Sequence, residues 1–129
     1  MERENVIEVI DRLYAARAEG DLASVNAFLA PGATYRMVGV PDAPNDAAKA
    51  VGLLIDQFHF AEMRRVRMMI DGENVAVQVH VKASTGGGRH VDSDLLQWFQ
   101  FDDNGKITDI TEFADTGLIA TMLGLAPEY

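Results

Sequence analysis

The chain has 129 residues, 48% hydrophobic and 24% charged, the balance of an ordinary globular domain with enough apolar mass for one core. A net charge of −9 argues against nucleic acid as a partner, and the absence of Cys excludes disulfides and thiolate chemistry. No apolar run approaches the ~20 residues that span a bilayer and Met1 to Asn5 lacks a signal peptide's apolar stretch, so no membrane partner and a cytoplasmic location are expected.

From Val6 to Arg17 apolar residues recur at helical spacing, with Val6, Ile7, Ile10, Leu13 and Tyr14 on one stripe. Gly20 ends this helix, and Asp21 caps a short second one running through Val25, Phe28 and Leu29. Pro31-Gly32 breaks the chain before a short strand over 33–38. Two prolines mark a loop at 41–45. A third helix is expected over 46–60, with Val51, Leu54, Ile55 and Phe58 on its buried stripe.

The period then changes to two. Strands over 62–70 and 74–83 flank Asp71-Gly72, a hairpin signal. The second alternates Val75, Val77, Val79 and Val81 against Ala76, Gln78, His80 and Lys82. In the first, Arg64, Arg65 and Arg67 fall on both faces and form no single basic patch. A turn at 85–88, a long strand over 89–101, a turn at 102–105, a last strand over 106–113 and a short helix over 116–123 complete the chain. With neither repeat nor linker, residues 1–129 form one domain. Helices followed by hairpin-linked strands give an α+β fold, with the helices on one face of an antiparallel sheet. Strands this long twist and curl, leaving a concavity between sheet and helices.

Three stretches carry a family resemblance. They are Leu13-Tyr14-Ala15-Ala16-Arg17-Ala18-Glu19-Gly20-Asp21-Leu22, then Phe28-Leu29-Ala30-Pro31-Gly32-Ala33-Thr34-Tyr35, and the ending Phe101-Asp102-Asp103-Asn104-Gly105-Lys106-Ile107 with Thr111-Glu112-Phe113-Ala114-Asp115. Together they resemble SnoaL-like proteins of the nuclear-transport-factor-2-like (ketosteroid-isomerase-like) superfamily, over nearly the whole chain. The resemblance implies a cone-shaped, curved antiparallel sheet packed against N-terminal helices, a cystatin-like α+β barrel around a small-molecule pocket. It also removes chemistries. The catalytic tyrosine of ketosteroid isomerases falls near Leu13, their general-base aspartate at Met37 and their oxyanion-hole aspartate at Gln97. The Arg and Asp of limonene-epoxide-hydrolase-like members fall at Val79 and Val81, while their tyrosine and final-strand aspartate fall at Tyr35 and Glu112. SnoaL-like polyketide cyclases also use an acidic residue on the final strand. The resemblance thus implies neither a standard ketosteroid isomerase nor a limonene-epoxide hydrolase, and gives Glu112 a catalytic precedent.

The alignment also orients the strands. Val75, Val77, Val79, Val81, Ser93, Leu95, Gln97, Phe99, Ile110, Glu112 and Ala114 are expected to face inward, an apolar cup holding one carboxylate. Burial there disfavours the charged form of Glu112, as a general acid or base working near neutrality requires. Otherwise Glu112 turns to the rim or pairs with an arginine such as Arg36. The candidate catalytic set is Glu112, Tyr35 and Gln97. Tyr35 offers a hydroxyl to a substrate oxygen or to a backbone carbonyl, and Gln97 donates to a developing oxyanion or bonds to Glu112 across adjacent strands. The candidate ligand-binding set is Tyr14, Met37, His59, Val77, Val79, Val81, Ser93, Leu95, Phe99 and Ile110. Met37, Met63, Met68, Met69 and Met122 suit an adaptable apolar cavity or a common core.

His59, His80 and His90 match no ligand spacing, so no metal is expected, and Gly86-Gly87-Gly88 lacks the Lys-Ser/Thr of a phosphate loop. His59 is expected at the cavity mouth, at the end of the third helix. Trp98 and Leu96 fall on the outer face of the long strand, where superfamily members commonly pair, so a homodimer through that face is expected. The leading expectation is a SnoaL-like enzyme acting on a small apolar or cyclic organic molecule by acid–base catalysis, as isomerase, cyclase, dehydratase or hydrolase, without metal or cofactor. The alternative is a non-catalytic ligand-binding or dimerisation module of the same fold.

Overall fold

The computed structural model describes residues 2–40 and 43–115. The expected helix over 116–123, Met122, and Pro41 and Asp42 of the expected loop lie outside them. The N-terminal stripe forms α1 (Arg3–Glu19), which buries Val6, Ile10, Leu13 and Tyr14. Gly20 closes it at a φ of 72°, a left-handed conformation that residues with a Cβ enter at a cost. Asp21 then caps α2 (Leu22–Ala27), its carboxylate accepting from the Ser24 backbone N–H.

Two boundaries differ from expectation. Phe28 is the C-cap of α2 and Leu29 already belongs to β1 (Leu29–Met37). This strand runs through Pro31-Gly32 as an irregularity, where pairing jumps from Leu29↔Ile107 to Thr34↔Asp109. Similarly, α3 (Ala47–Gln57), capped by Asp46, stops before Phe58. Phe58, His59 and Phe60 instead open β2 (Phe58–Asp71), buried, exposed and buried in turn, opposite Thr85, Ser84 and Ala83. A period of two with aromatics at both buried positions suits a strand, and ladder bonds decide the ambiguity.

The hairpin from β2 to β3 (Asn74–Thr85) turns at Gly72-Glu73, with Gly72 at a φ of 59°, as the first central residue of a II′ turn requires. β4 (His90–Phe101) and β5 (Ile107–Phe113) follow. The sheet order is β1-β5-β4-β3-β2. The hairpin-linked strands are antiparallel, but β1 runs parallel to β5, so the sheet is mixed rather than wholly antiparallel. The hairpin rule has no hold on β1: α3 separates it from β2, and the two strands end on opposite edges.

Helix α1 packs on β2, α3 on β1 and β2, and α2 against both helices. The β3 and β4 alternation then follows from half-burial: Val75, Val77, Val79, Val81, Leu95, Gln97 and Phe99 face the helices and are buried. Bulges in β2 at Phe60/Glu62 and Arg65/Arg67 bend the sheet around them. The second bulge also sorts the arginines. Arg65 turns to the helix side and bonds bidentately to Asp11 of α1, at 2.9 and 3.1 Å, while Arg64 and Arg67 pair with the outer-face positions His80 and Gln78. Among the described residues no helix is long and apolar enough to cross a membrane.

Ile10, with no exposed surface, anchors α1 on the sheet. Ile10→Ala should cost about 2–5 kcal/mol. Urea unfolding checks this, as a lower midpoint at an unchanged slope.

Candidate functional site

Strand parity assembles one polar row inside the cone. Met37 of β1 stands opposite Glu112 of β5, Glu112 opposite Gln97 of β4, and Gln97 opposite Val77 of β3. Tyr35, two residues before Met37, shares its face. Tyr14 and Arg17 descend from α1, three residues apart and hence on one side of the helix. All five polar side chains are buried: Tyr14, Arg17, Tyr35, Gln97 and Glu112 are each at most 4% exposed.

Burial without partners would be costly, and here the partners are present. The Tyr14 hydroxyl donates to Gln97 Oε1 at 2.8 Å. Gln97 Nε2 donates to Glu112 Oε1 at 2.8 Å and lies 3.4 Å from the Tyr35 hydroxyl oxygen. Tyr35 in turn donates to Glu112 Oε1 at 2.7 Å. Both strong donors land on one carboxylate oxygen, Oε1, and Glu112 also lines a cavity. Of the two uses of Gln97 open from sequence, the bond to Glu112 across adjacent strands is present. Tyr35 reaches a carboxylate rather than a backbone carbonyl.

Arg17 changes the expected electrostatics. Arg36 is exposed, whereas the Arg17 guanidinium enters the interior and interacts with Tyr35 and with the charge of Glu112. The cup therefore holds opposite charges rather than one carboxylate. Burial alone would lower the pKa of Arg17, but Tyr35 and Glu112 outweigh it and the guanidinium holds its proton more tightly than usual. Burial raises both Tyr14 and Tyr35 well above 10.0; Glu112 adds to the rise and Arg17 opposes it.

Arg17, Leu54, Phe58, Phe60, Val81, Ala83, Val91, Leu95 and Glu112 line a cavity of about 30 Å³. Of the expected ligand-binding residues only Val81 and Leu95 reach it. Val77, Val79 and Ile110 are buried core, Phe99 meets Tyr14 edge-to-face with centroids 6.4 Å apart, and Met37 borders a separate surface hollow with Gly39 and Val40. The Ser93 hydroxyl turns to the backbone carbonyl of Asp94 at 3.3 Å. His59 sits in β2 rather than at a helix end; its side chain is exposed and borders an outer groove of about 580 Å³.

Arg17, Leu54, Phe58, Phe60, Ala83 and Val91 were not foreseen as lining the cavity. For Arg17 the signal exists: Ile10, Leu13, Tyr14 and Arg17 share one helical face, so the stripe extends one turn further than its apolar members. On the outer face His80 is held by Asp94 at 2.6 Å and Asp92 at 2.8 Å. No group of three or more His, Asp or Glu among the described residues is arranged to hold a metal.

The comparisons agree with this architecture. The family model described as "SnoaL-like domain" matches residues 10–110. No curated protein matches the chain in sequence. Among solved structures, a provisionally assigned isomerase from Bacillus subtilis superposes with a TM-score of 0.81 at 13% identity, covering 95% of both chains. A provisionally assigned SnoaL-like polyketide cyclase from Jannaschia sp. CCS1 gives 0.76 at 19%, covering 98% of this chain and 99% of that one. A protein with a ketosteroid-isomerase-like fold from Catenulispora acidiphila, in complex with trimethylamine, gives 0.73 at 12%, covering 92% and 94%. At these identities the likeness is one of fold.

The raised tyrosines set a pH dependence. Their neutral phenols contribute stability that is fully present below 10.0, the ordinary tyrosine value, and drains away as pH climbs from there toward the folded values. Unfolding free energy measured against pH should stay flat on approach to 10.0 and then fall. Tyr14→Phe should shallow that fall and cost about 1–3 kcal/mol at neutral pH, because Gln97 Oε1 loses its donor.

Proposed function

This chain belongs to the SnoaL-like domain family, and we propose that it is an enzyme of that type. It performs acid–base chemistry on a small, mostly apolar, cyclic organic molecule, in a cytoplasmic setting and without metal or cofactor. The observation that carries this reading is the buried Glu112 carboxylate, whose Oε1 is fixed by Tyr35 and Gln97 in a residue that lines the cavity.

Each residue has a task that its surroundings support. Tyr35 and Gln97 fix the plane of the carboxylate, so Oε2 meets a bound molecule without reorganising. Glu112 takes a proton from the substrate at Oε2 or returns it there. The apolar wall of Val81, Leu95, Phe58 and Phe60 keeps water out and strengthens these contacts. The isomerase and polyketide-cyclase assignments of the fold neighbours suit such chemistry, and isomerisation, cyclisation, dehydration and hydrolysis all use one positioned carboxylate.

One observation favours the alternative, a non-catalytic binding or dimerising cone. The space of about 30 Å³ beside Glu112 is small for an organic ligand, because the interior is filled by its own side chains. Turnover separates the two readings. In a screen of cyclic ketones, lactones and epoxides, an active compound should lose about 10²–10⁴-fold in kcat with Glu112→Gln. Full turnover in that variant refutes the mechanism, and a screen without turnover supports the binding module.

The partner reading is a second copy of the chain. Met69 and Trp98 flank Ala76 in one outer row, and Leu96 lies beside Phe113 in the next, all four of these large side chains at least 43% exposed. Arg64, Arg67 and Lys82 share that face with Glu62, Asp92 and Asp94, a mixture that a two-fold can match to itself. Sedimentation at micromolar concentration should give twice the chain's mass, and Trp98→Glu should return a monomer. A monomeric unsubstituted protein overturns the pairing.

A further inference from the structure

We propose that Arg17 is the ligand-anchoring residue of this site: its Nε–H receives the carbonyl oxygen of a neutral ligand that enters through the groove between the ends of α1, α3 and the β2–β3 pair. The proposal rests on the reading of the Glu112 cavity as a ligand site. It adds the residue that selects the ligand, the charge class of that ligand and its route.

Arg17 is 3% exposed, and its Nε is the one buried side-chain polar atom among the described residues without a hydrogen-bond partner. Leaving a charged donor unmet inside a protein costs more than the ~1–3 kcal/mol of a neutral one. That unmet donor belongs to a residue that lines the cavity. Neighbours hold the guanidinium there: it lies over the Phe60 ring, 5.5 Å from the centroid, and interacts with Tyr35. No ion pair joins it to Glu112 among the described residues, although both line the same cavity.

The chemistry of that lining defines the complement. Arg17 supplies a donor, Glu112 an acceptor, and the other lining side chains are apolar. Guanidinium and carboxylate cancel in charge. An anionic ligand drawn to Arg17 would face Glu112, and a cation drawn to Glu112 would face Arg17, so the pair favours a neutral molecule. A carbonyl oxygen is an acceptor with no proton to leave unsatisfied, and a cavity of about 30 Å³ seats such a group but not a ring.

The ring has a place immediately outside. The groove of about 580 Å³ shares Arg17, Phe58 and Phe60 with the cavity, and also touches His59 and Ser84. Its volume lies within the ~300–1,000 Å³ typical of small-molecule sites. A ligand whose body occupies the groove meets Arg17 at the wall that groove and cavity share.

Three six-ring probes test the proposal on the full chain: cyclohexanone, cyclohexanecarboxylate and methylcyclohexane. The readout is the Nε–H resonance of Arg17 in ¹⁵N-labelled protein, which burial protects from exchange. Cyclohexanone should shift this resonance in a saturable way, while the carboxylate and the hydrocarbon leave it in place. Arg17→Gln should weaken cyclohexanone binding at least ~10-fold, the loss of one charge-assisted hydrogen bond. The titration of the unsubstituted protein stands even where that variant fails to fold. Cyclohexanone binding that leaves the Arg17 resonance unmoved, or that survives Arg17→Gln undiminished, overturns the anchor and leaves the Glu112 reading intact. Tighter binding of the carboxylate overturns the charge class. Failure of all three probes to bind overturns the proposal together with the ligand-site reading. A saturable Arg17 shift alongside full turnover in Glu112→Gln keeps the anchor and removes the acid–base mechanism.

Discussion

The bonds that converge on Glu112 Oε1 constrain more of this molecule than any apolar contact does. They join β1 through Tyr35 and β4 through Gln97 to β5, and Tyr14 of α1 attaches to the same row by donating to Gln97 Oε1. Apolar burial drives the collapse of the cone, but it is tolerant: valines facing valines can slide. The polar row is not tolerant. A one-residue slip of β4 would turn Gln97 to the outer face, leaving Tyr14 without its acceptor and Glu112 with one donor fewer in a low-dielectric interior. Each bond contributes only about 1 kcal/mol net when made, yet each unmade one costs up to about 3. The network therefore acts mainly as a penalty on every register but one.

The same constraint sorts the interior into a fixed part and an unmet part. Tyr14, Gln97, Tyr35 and Glu112 satisfy one another, while Arg17 remains with an idle donor. A purely structural guanidinium would be expected to close an ion pair with the only carboxylate sharing its cavity. Keeping the two apart leaves between them a donor and an acceptor that a third group can bridge. The outer face differs: His80, Asp92, Asp94, Gln78 and Arg67 are linked in a chain open to water. There the pairing with His80 and the Gln78 bond hold the Asp94 carboxyl below the usual carboxylate range, and solvent screens the rest.

What could be read from the residues follows from how local each cause is. The alternation of Val75 to Val81 betrays its strand because half-burial imposes a period of two within the strand itself. Tyr35, Gln97 and Glu112 were legible through parity and family resemblance together, and the structure brings all three within bonding distance. Phe58 to Phe60 misled, since three residues with apolar ends fit the last turn of a helix as well as the first of a strand. The parallel pairing of β1 with β5 left no trace, as strands so distant in sequence share no turn. Arg17 was passed over because a basic residue in a helix's last turn has a ready surface explanation in the helix dipole. Cavity volume was the least legible quantity, being a remainder after side chains from α1, α3, β2, β3, β4 and β5 have packed.

That remainder is unevenly guarded. The Glu112 end lies among β1, β5 and β4, whose pairing at Met37, Glu112 and Gln97 is continuous. The Phe58 and Phe60 end lies where α3 passes directly into β2, an edge strand whose ladder is interrupted between Phe60 and Glu62. A bulge on an edge strand leaves backbone groups unpaired and lets the strand bend locally. Movement of this edge therefore disturbs fewer ladder bonds than movement near the carboxylate would. A fixed carboxylate beside one adjustable wall lets an interior that is nearly full at rest open toward the groove. The small cavity and the fixed carboxylate are then two results of one arrangement, rather than arguments for opposite functions.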